Sequence, residues 1–310
     1  MRKYILISVT VFLLNNCKAQ QLDSIKYAYG YIYYHDYGKG QPVIILSGGP
    51  GVSCEQEQEV TIEVSKNYRA LLLEQRGTGR SIPTPFDSTT INLKAALDDL
   101  NLLLDHLKLK DAIIYGHSWG GTLAMSFATS YPNRAKAIIL TGTGPWTIIP
   151  DSNPPPSYTQ YINVISHLDK HQRQRLDSLN EKEDAGTNTA EELTERRKLV
   201  LLGRIPNRDI IDSIYPRYAV GIMNKKMASL MWQDLGRIHF DLTSKFSSYH
   251  NPFFAIFGLQ DPGAFVTYEL KILLPRVELQ WIQNSGHFPM FDQPQDFYKI
   301  LNEDIEKTKK

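Results

Sequence analysis

Ser118, Asp261 and His287 are the residues whose types and spacing could do chemistry. Ser118 sits in Gly116-His117-Ser118-Trp119-Gly120-Gly121, between an apolar run at 111–115 and a helical pattern at 122–130. A serine with glycines two residues away on either side, at a strand-to-helix turn, reads as a nucleophile elbow. The turn is sharp and strained, and a side chain at either glycine would crowd the neighbouring strand or helix. The hydroxyl is thereby aimed into open space, with a helix start behind it that favours developing negative charge. With glycine at about 7% of residues, chance supplies G-x-S-x-G in about one chain in ten of this length. The flanking segments have to decide.

Ahead of the elbow, residues 41–51 read Gln-Pro-Val-Ile-Ile-Leu-Ser-Gly-Gly-Pro-Gly, a buried-type strand that breaks into a glycine loop. In the hydrolase arrangement such a loop supplies one oxyanion-hole amide and the residue after the nucleophile supplies the other. Those would be the backbone N–H groups of Gly49 and Trp119. Behind the elbow, the apolar run at 252–258 leads to Asp261, and a last strand at 277–282 leads to Asn284-Ser285-Gly286-His287. The order serine, aspartate, histidine is that of α/β-hydrolases. Of the eight histidines, His35 and His106 precede the elbow, and His117 lies in it with its side chain forced away from Ser118. His167, His171, His239 and His250 do not follow a last-strand pattern, which leaves His287. Asp151 is the alternative acid, but it lies ten residues past Thr141 and across a proline linker, so Asp261 is preferred.

The loop Gly48-Gly49-Pro50-Gly51, the segment Glu74-Gln75-Arg76-Gly77-Thr78-Gly79-Arg80-Ser81 and the elbow together resemble the proline iminopeptidase group of α/β-hydrolases. Two positions depart from the group's pattern: Ser47 replaces the usual histidine before the glycine loop, and Glu74 replaces aspartate before Gln-Arg-Gly. Both changes keep polar character and read as subfamily variation. The resemblance implies a Ser118–His287–Asp261 triad. His287 takes the serine proton while Asp261 orients the imidazole, Ser118 attacks a carbonyl, and water releases the acyl-enzyme. No cofactor is required. Glu74 and Arg76 are expected to form a structural ion pair beneath the site.

Placing these residues calls for a mostly parallel sheet. Short buried strands are expected at 43–46, 70–73, 112–115 and 137–140, separated by helices, the clearest of which is 93–107 with Leu93, Leu97, Leu100, Leu104 and Leu107 on one stripe. Residues 25–34, with Tyr27, Tyr29, Tyr31 and Tyr33 on one face, read as a half-exposed strand of an opening hairpin. After Trp146 the pattern changes: 151–156 is a proline-rich linker, and the charged helical stretch beyond it includes a capping box at Thr189-Ala-Glu-Glu192. Its charged runs at 181–184 and 191–198 read as solvated helix faces. The expected fold is therefore an α/β-hydrolase with a core at 21–146 and 248–310 and an inserted helical cap at 147–247.

Residues 1–20 read as a secretory segment, with Arg2-Lys3 ahead of an apolar stretch at 4–14 too short to span a bilayer. Leu14-Asn15-Asn16-Cys17 resembles a lipoprotein box, which would attach Cys17 to a membrane. Ala19-Gln20 resembles an ordinary cleavage point, and the two stay open. Cys54 has no disulfide partner and is expected half-buried in the helix after the glycine loop. No cysteine–histidine or other metal-ligand spacing supports metal chemistry. With 34 basic and 33 acidic residues the chain is nearly neutral, which gives no sign of a nucleic-acid partner, and the hydrolase resemblance implies a small-molecule or short-peptide substrate. The oligomeric state stays open.

The resemblance also bears on substrate. Aminopeptidases of the group hold the substrate amine with cap glutamates, one of them usually in a Trp-Glu pair. Here Trp232 is followed by Gln233, and a neutral amide cannot offset a buried ammonium as a carboxylate does. Trp146, Glu191, Glu192 and Glu195 are the candidate substrate-binding residues. Three readings follow: an exported iminopeptidase-type aminopeptidase, a carboxylesterase or lipase-type acyl hydrolase, and a non-catalytic binding protein on a hydrolase scaffold.

Overall fold

The computed structural model describes residues 21–148 and 162–309, with backbone alone for 265–267. The secretory segment, Cys17, the proline-rich linker and Asp151 lie outside the described residues.

Eight strands form one sheet in the order β1-β2-β4-β3-β5-β6-β7-β8. They are β1 (Gln21–Tyr27), β2 (Gly30–Gly38), β3 (Pro42–Leu46), β4 (Arg69–Leu73), β5 (Ala112–His117), β6 (Ala135–Thr141), β7 (Phe253–Gly258) and β8 (Glu278–Ile282). The first two run antiparallel, and every pairing from β4 through β8 is parallel. The tyrosine-rich stretch expected as one strand is the hairpin itself. It turns at Ala28-Tyr29, where Tyr27 pairs with Gly30, so alternation continued in sequence across a chain reversal.

The central strands are apolar through their middles because both faces are covered. Alternate residues still go to opposite faces. Ile44, Leu46, Leu71, Leu73, Ile114 and Leu140 pack into one core with α2 (Leu93–His106) and α3 (Trp119–Ser130). Val43, Ile45, Leu72, Ile113, Tyr115 and Ile139 pack into the other. That second core is closed by Val60 and Val64 of α1 (Gln58–Ser65) and by Phe297, Leu301 and Ile305 at the C-terminus. Four of the five leucines expected on one stripe, Leu93, Leu97, Leu100 and Leu104, are buried on α2, while Leu107 caps its end and is half-buried.

Between β6 and β7 the chain leaves the sheet. It forms α4 (Lys170–Asp184), α5 (Ala190–Leu202), α6 (Ile211–Ala219) and α7 (Lys225–Arg237) among the described residues. The capping box at the start of α5 forms, with Thr189 and Glu192 satisfying each other's backbone. Leu176, Leu179 and Leu199 close a small separate cluster between α4 and α5. After β7 come α8 (Ala264–Leu273), α9 (Pro289–Asp292) and α10 (Pro294–Lys307). No helix among the described residues is long and apolar enough to cross a membrane.

Candidate active site

All four segments singled out in the sequence end at one edge of the sheet. The glycine loop follows β3, Ser118 follows β5, Asp261 lies just beyond β7 and His287 just beyond β8. In open α/β sheets the crevice at the carboxyl ends of the strands, where the strand order reverses, is where ligands bind. Here β3 lies between β4 and β5, so the reversal falls at the glycine loop and the elbow.

Ser118 has φ 53° and ψ −119°, a backbone strained for a residue with a side chain, and is half-buried. Its amide donates to Thr141 O at 2.9 Å, and its carbonyl accepts from Gly144 N at 2.8 Å and Gly121 N at 2.9 Å. The flanking glycines are required by contact, since a Cβ on Gly116 would lie 2.2 Å from Gly120 O. Trp119 begins α3, where the first amides have no intrahelical acceptor. A Cβ on Gly48 would stand 3.3 Å from Ser118 Cβ, so the glycine loop passes directly over the serine.

The acid and the histidine meet because their loops pack backbone against backbone. A Cβ on Gly258 would lie 2.2 Å from Gly286 O, and only glycine permits that approach. His287 Nδ1 lies 3.0 Å from Asp261 Oδ2 and 3.2 Å from Oδ1, with the two residues 4% and 6% exposed. The second face of Asp261 is fixed by Gly263 N donating to Oδ1 at 2.7 Å. Burial pushes the Asp261 carboxyl up, but the charge and hydrogen bond of His287, helped by the Gly263 amide and Arg204, hold it below the usual range. Burial also lowers His287 below its ordinary value, and the raising effect of Asp261 does not fully offset it. An ionised acid beside a neutral imidazole is the state a general base needs. Among the described residues no hydrogen bond within 3.5 Å joins Ser118 Oγ to His287. Such bonds are often long before substrate docks.

The structure adds supporting contacts to which the sequence assigns no role. Gln75 Nε2 donates to Ser47 O at 2.8 Å and to Ser47 Oγ at 3.1 Å, while Gln75 Oε1 accepts from Trp119 Nε1 at 2.9 Å. One amide thus ties the glycine loop to the elbow, which gives the Glu-Gln-Arg-Gly motif a physical role. Ser47 Oγ donates to Val52 O at 2.9 Å, bracing the loop where a histidine is usual. Arg204, at the end of α5, accepts from His287 N at 2.9 Å through its carbonyl. Asp292 accepts from Gly286 N at 2.7 Å beneath the histidine loop, and burial raises its carboxyl to about 6.

The expected pairing of Glu74 with Arg76 does not occur. Glu74 accepts from His35 at 3.1 Å and from Arg80 Nη1 at 2.8 Å and the Arg80 amide at 2.5 Å. Arg76 instead reaches Asp99 on α2 at 2.5 and 2.8 Å. The tight turn at 77–81 folds Arg80 back over Glu74 and leaves Arg76 facing the helix. Cys54 is fully buried at 1% exposure, not half-buried, and burial together with Glu55 and Glu74 raises its thiol. His35, Cys54 and Glu74 bring their donor atoms within 4.8 Å of one another. The Arg80 guanidinium already occupies the Glu74 oxygen that faces His35, and a protonated thiol is a poor ligand. The trio reads as a packed ion-pair corner.

The candidate substrate-binding residues divide: Trp146 follows the turn whose Gly144 amide bonds Ser118 O, while the three glutamates make their contacts within the helical segment. Trp146 is 3% exposed and packs in the core, where its carbonyl accepts from Leu242 N. Arg175 holds both oxygens of Glu195 at 2.7 and 2.9 Å. Glu192 pairs with Lys182, and Glu191 lines an open groove on α5 with Lys198. Trp232 does reach the site: its ring is edge-on to Trp119 at 6.1 Å and 40% exposed. Gln233 turns back to Ser229 on its own helix.

Comparison with known proteins agrees with this fold. A family profile described as α/β hydrolase fold matches residues 41–294. The chain is 25% identical over 280 residues to a proline iminopeptidase of Heyndrickxia coagulans, covering 87% of this chain and 92% of that one. It is 36% identical over 158 residues to a proline iminopeptidase of Xylella fastidiosa, a match spanning 45% of this chain and 48% of the relative. Among solved structures, an α/β-fold hydrolase of Bacillus anthracis superposes with a TM-score of 0.75 at 19% identity, over 92% of this chain and 99% of the other.

Proposed function

The chain belongs to the α/β-hydrolase fold family, and from that premise we propose that it is a serine hydrolase working through a Ser118–His287–Asp261 triad. The observation that carries this reading is the buried His287–Asp261 pair at the sheet edge where the strained elbow presents Ser118. His287, neutral at its Nε2, accepts the Ser118 proton, and Asp261 holds the opposite nitrogen and stabilises the imidazolium. The oxygen attacks a carbonyl, and the amides of Gly49 and Trp119 receive the oxyanion. Each such donor typically contributes about 10²–10³ in rate. His287 returns the proton to the leaving group, and water attacks the acyl-enzyme by the same route.

The substrate reading is an aminopeptidase of the iminopeptidase type, supported by the relative matched over nearly its whole length, and exported on the strength of the charged and apolar pattern at residues 1–20. A second reading, a carboxylesterase, draws on one observation. The glutamates nearest in type to amine anchors already face Arg175 and Lys182, whereas the exposed Trp232 edge gives the elbow an apolar neighbour.

A fluorophosphonate probe followed by a substrate panel tests both levels. Wild-type protein is labelled and Ser118→Ala is not, with turnover falling below about one per cent, since losing a triad nucleophile removes nearly all of the chemical acceleration. Labelling of Ser118→Ala would refute the nucleophile. Proline, alanine and arginine naphthylamides set against short p-nitrophenyl esters then separate the readings. Cleavage of prolyl amides with refusal of N-acetylated ones supports the peptidase, and the reverse supports the esterase.

A further inference from the structure

We propose that Glu57 and His117 form a buried positioning pair that fixes the His287 loop relative to the elbow, by a hydrogen bond from His117 to the His287 backbone. The proposal rests on the triad reading above and adds residues that never touch substrate.

His117 is 1% exposed and Glu57 fully buried. His117 Nε2 lies 3.1 Å from the His287 carbonyl oxygen. A carbonyl oxygen can only accept, so Nε2 carries the hydrogen. The other ring nitrogen, Nδ1, faces Glu57 Oε1 at 3.1 Å. The ring and the carboxyl thus face each other in a site shut off from water, where a polar group without a partner is costly. The contact is close but off-axis. Neither Glu57 oxygen nor His117 Nδ1 has a well-aligned hydrogen-bond partner among the described residues. Buried polar atoms in that condition are rare in native structures and call for an explanation such as a catalytic role. Two apolar side chains would fill this part of the core around Tyr115 without that cost.

The pair's placement supplies the explanation. The rings of His117 and His287 have centroids 5.2 Å apart, and Phe288 packs against both at 5.1 and 5.0 Å. Glu57 belongs to the short 3₁₀ turn Cys54–Glu57 directly after the glycine loop. Its neighbour Gln56 accepts from Gly48 N at 3.3 Å. One turn thus holds the oxyanion loop through residue 56 and, by way of His117, the catalytic histidine through residue 57. At its start, Ser53 exchanges hydrogen bonds with Ile222, at 2.9 Å from Ser53 N and 3.1 Å to Ser53 Oγ, linking the same turn to the segment before α7. The other ionisable groups facing the pair are the phenols of Tyr115 and Tyr298 at Glu57, and Asp261 and Arg204 at His287.

The test uses Glu57→Leu, Glu57→Gln and His117→Phe in the full chain, with active sites titrated by fluorophosphonate. Misplacement of a reacting group by about 1 Å can cost about 10²-fold in rate. Glu57→Leu and His117→Phe are therefore expected to lower kcat per titrated site by about 10- to 100-fold, with KM within about twofold and a displaced acid limb of kcat/KM. Glu57→Gln should recover most of kcat, because its amide can donate to Nδ1 and keep Nε2–H pointed at the carbonyl. Unchanged kcat and acid limb in folded Glu57→Leu and His117→Phe would overturn the proposal, even with a lowered melting temperature. If those variants do not fold, nitrogen-15 NMR of histidine-labelled wild type decides. A slowly exchanging proton on His117 Nε2 supports the pair, and a bare Nε2 overturns it. Ser118→Ala run in parallel separates the two levels. Turnover in that variant refutes the triad itself, whereas an inactive Ser118→Ala beside a fully active Glu57→Leu refutes the positioning pair alone.

Discussion

The sheet edge and the helical segment between β6 and β7 use polar residues in opposite ways. At the edge, Asp261, His287, Glu57, His117 and Gln75 are buried, and each is held by a specific loop or ring. In the helical segment, charges are plentiful and pair with one another: Arg175 with Glu195, Lys182 with Glu192, Arg196 and Lys225 with Glu183. Desolvated groups at the edge can be tuned and directed, while these pairs, in which the cation of each stays at least partly in water, contribute and specify less. The difference teaches that chemistry in this molecule is to be sought where backbone contacts dictate residue type, and not where charge is dense.

The largest effect that could break this contrast is at the acid. Asp261→Asn keeps the shape of the site but turns the imidazole to the wrong tautomer, and kcat is expected to fall about 10⁴-fold. Near-normal turnover in Asp261→Asn, with loss confined to Asp151→Asn, would move the acid out of the β7 loop.

Glycine offers the same contrast in stability. A Cβ on Gly120 would meet Leu46 O at 2.3 Å, backbone against backbone, whereas one on Gly236 in α7 meets nothing within 4 Å. Gly120→Ala is expected to cost about 1–3 kcal/mol or more, and Gly236→Ala to stabilise by up to about 1 kcal/mol through helix propensity. Urea unfolding of both variants checks the signs, and a neutral Gly120→Ala would mean that the elbow is not tightly packed.

A smaller effect concerns pH. His287 must be neutral to accept the serine proton, and burial holds it below 6.5. Activity should therefore persist into mildly acidic buffer, with the acid limb of kcat/KM centred below 6.5. Arg204 contributes to that lowering, so Arg204→Gln should move the limb upward. A wild-type limb above 6.5 would show that Asp261 outweighs burial.

These contrasts also explain what could be read in advance. The elbow, the glycine loop and the strand cores were legible because close packing and strained backbone leave few residue types acceptable at Gly116, Gly120 and the apolar strand positions. The meeting of Asp261 with His287 was legible from their positions after the last two strands. Arg80 was not, because its contact with Glu74 depends on how a five-residue turn at 77–81 closes. Glu57 was hidden for a similar reason: it looks like any helix-start glutamate until a histidine 60 residues on is brought against it. The tyrosine hairpin misled because alternation continues unbroken through its turn at Ala28-Tyr29. Function in the helical segment could not be read from charge, since a solvated helix face and a ligand-facing one share the same composition.

The mildest perturbation sharpens the comparison most for substrate. Had Glu195 or Glu192 anchored a substrate amine, removing its charge would delete a charge-assisted hydrogen bond of about 1.5–3 kcal/mol. KM for prolyl-naphthylamide would then rise about tenfold or more. Both carboxylates instead face cations from α4: Arg175 grips Glu195 with two nitrogens, and Lys182 contacts Glu192. The Arg175–Glu195 pair is 40% and 45% exposed, so water and salt already screen it. Glu195→Gln and Glu192→Gln are accordingly expected to leave KM for free-amine substrates within about twofold and ester hydrolysis untouched. A sharp rise confined to free-amine substrates would instead bring α5 into the site. The amine would then have to displace Arg175 or Lys182, and the aminopeptidase reading would gain the contact that the helical segment otherwise withholds.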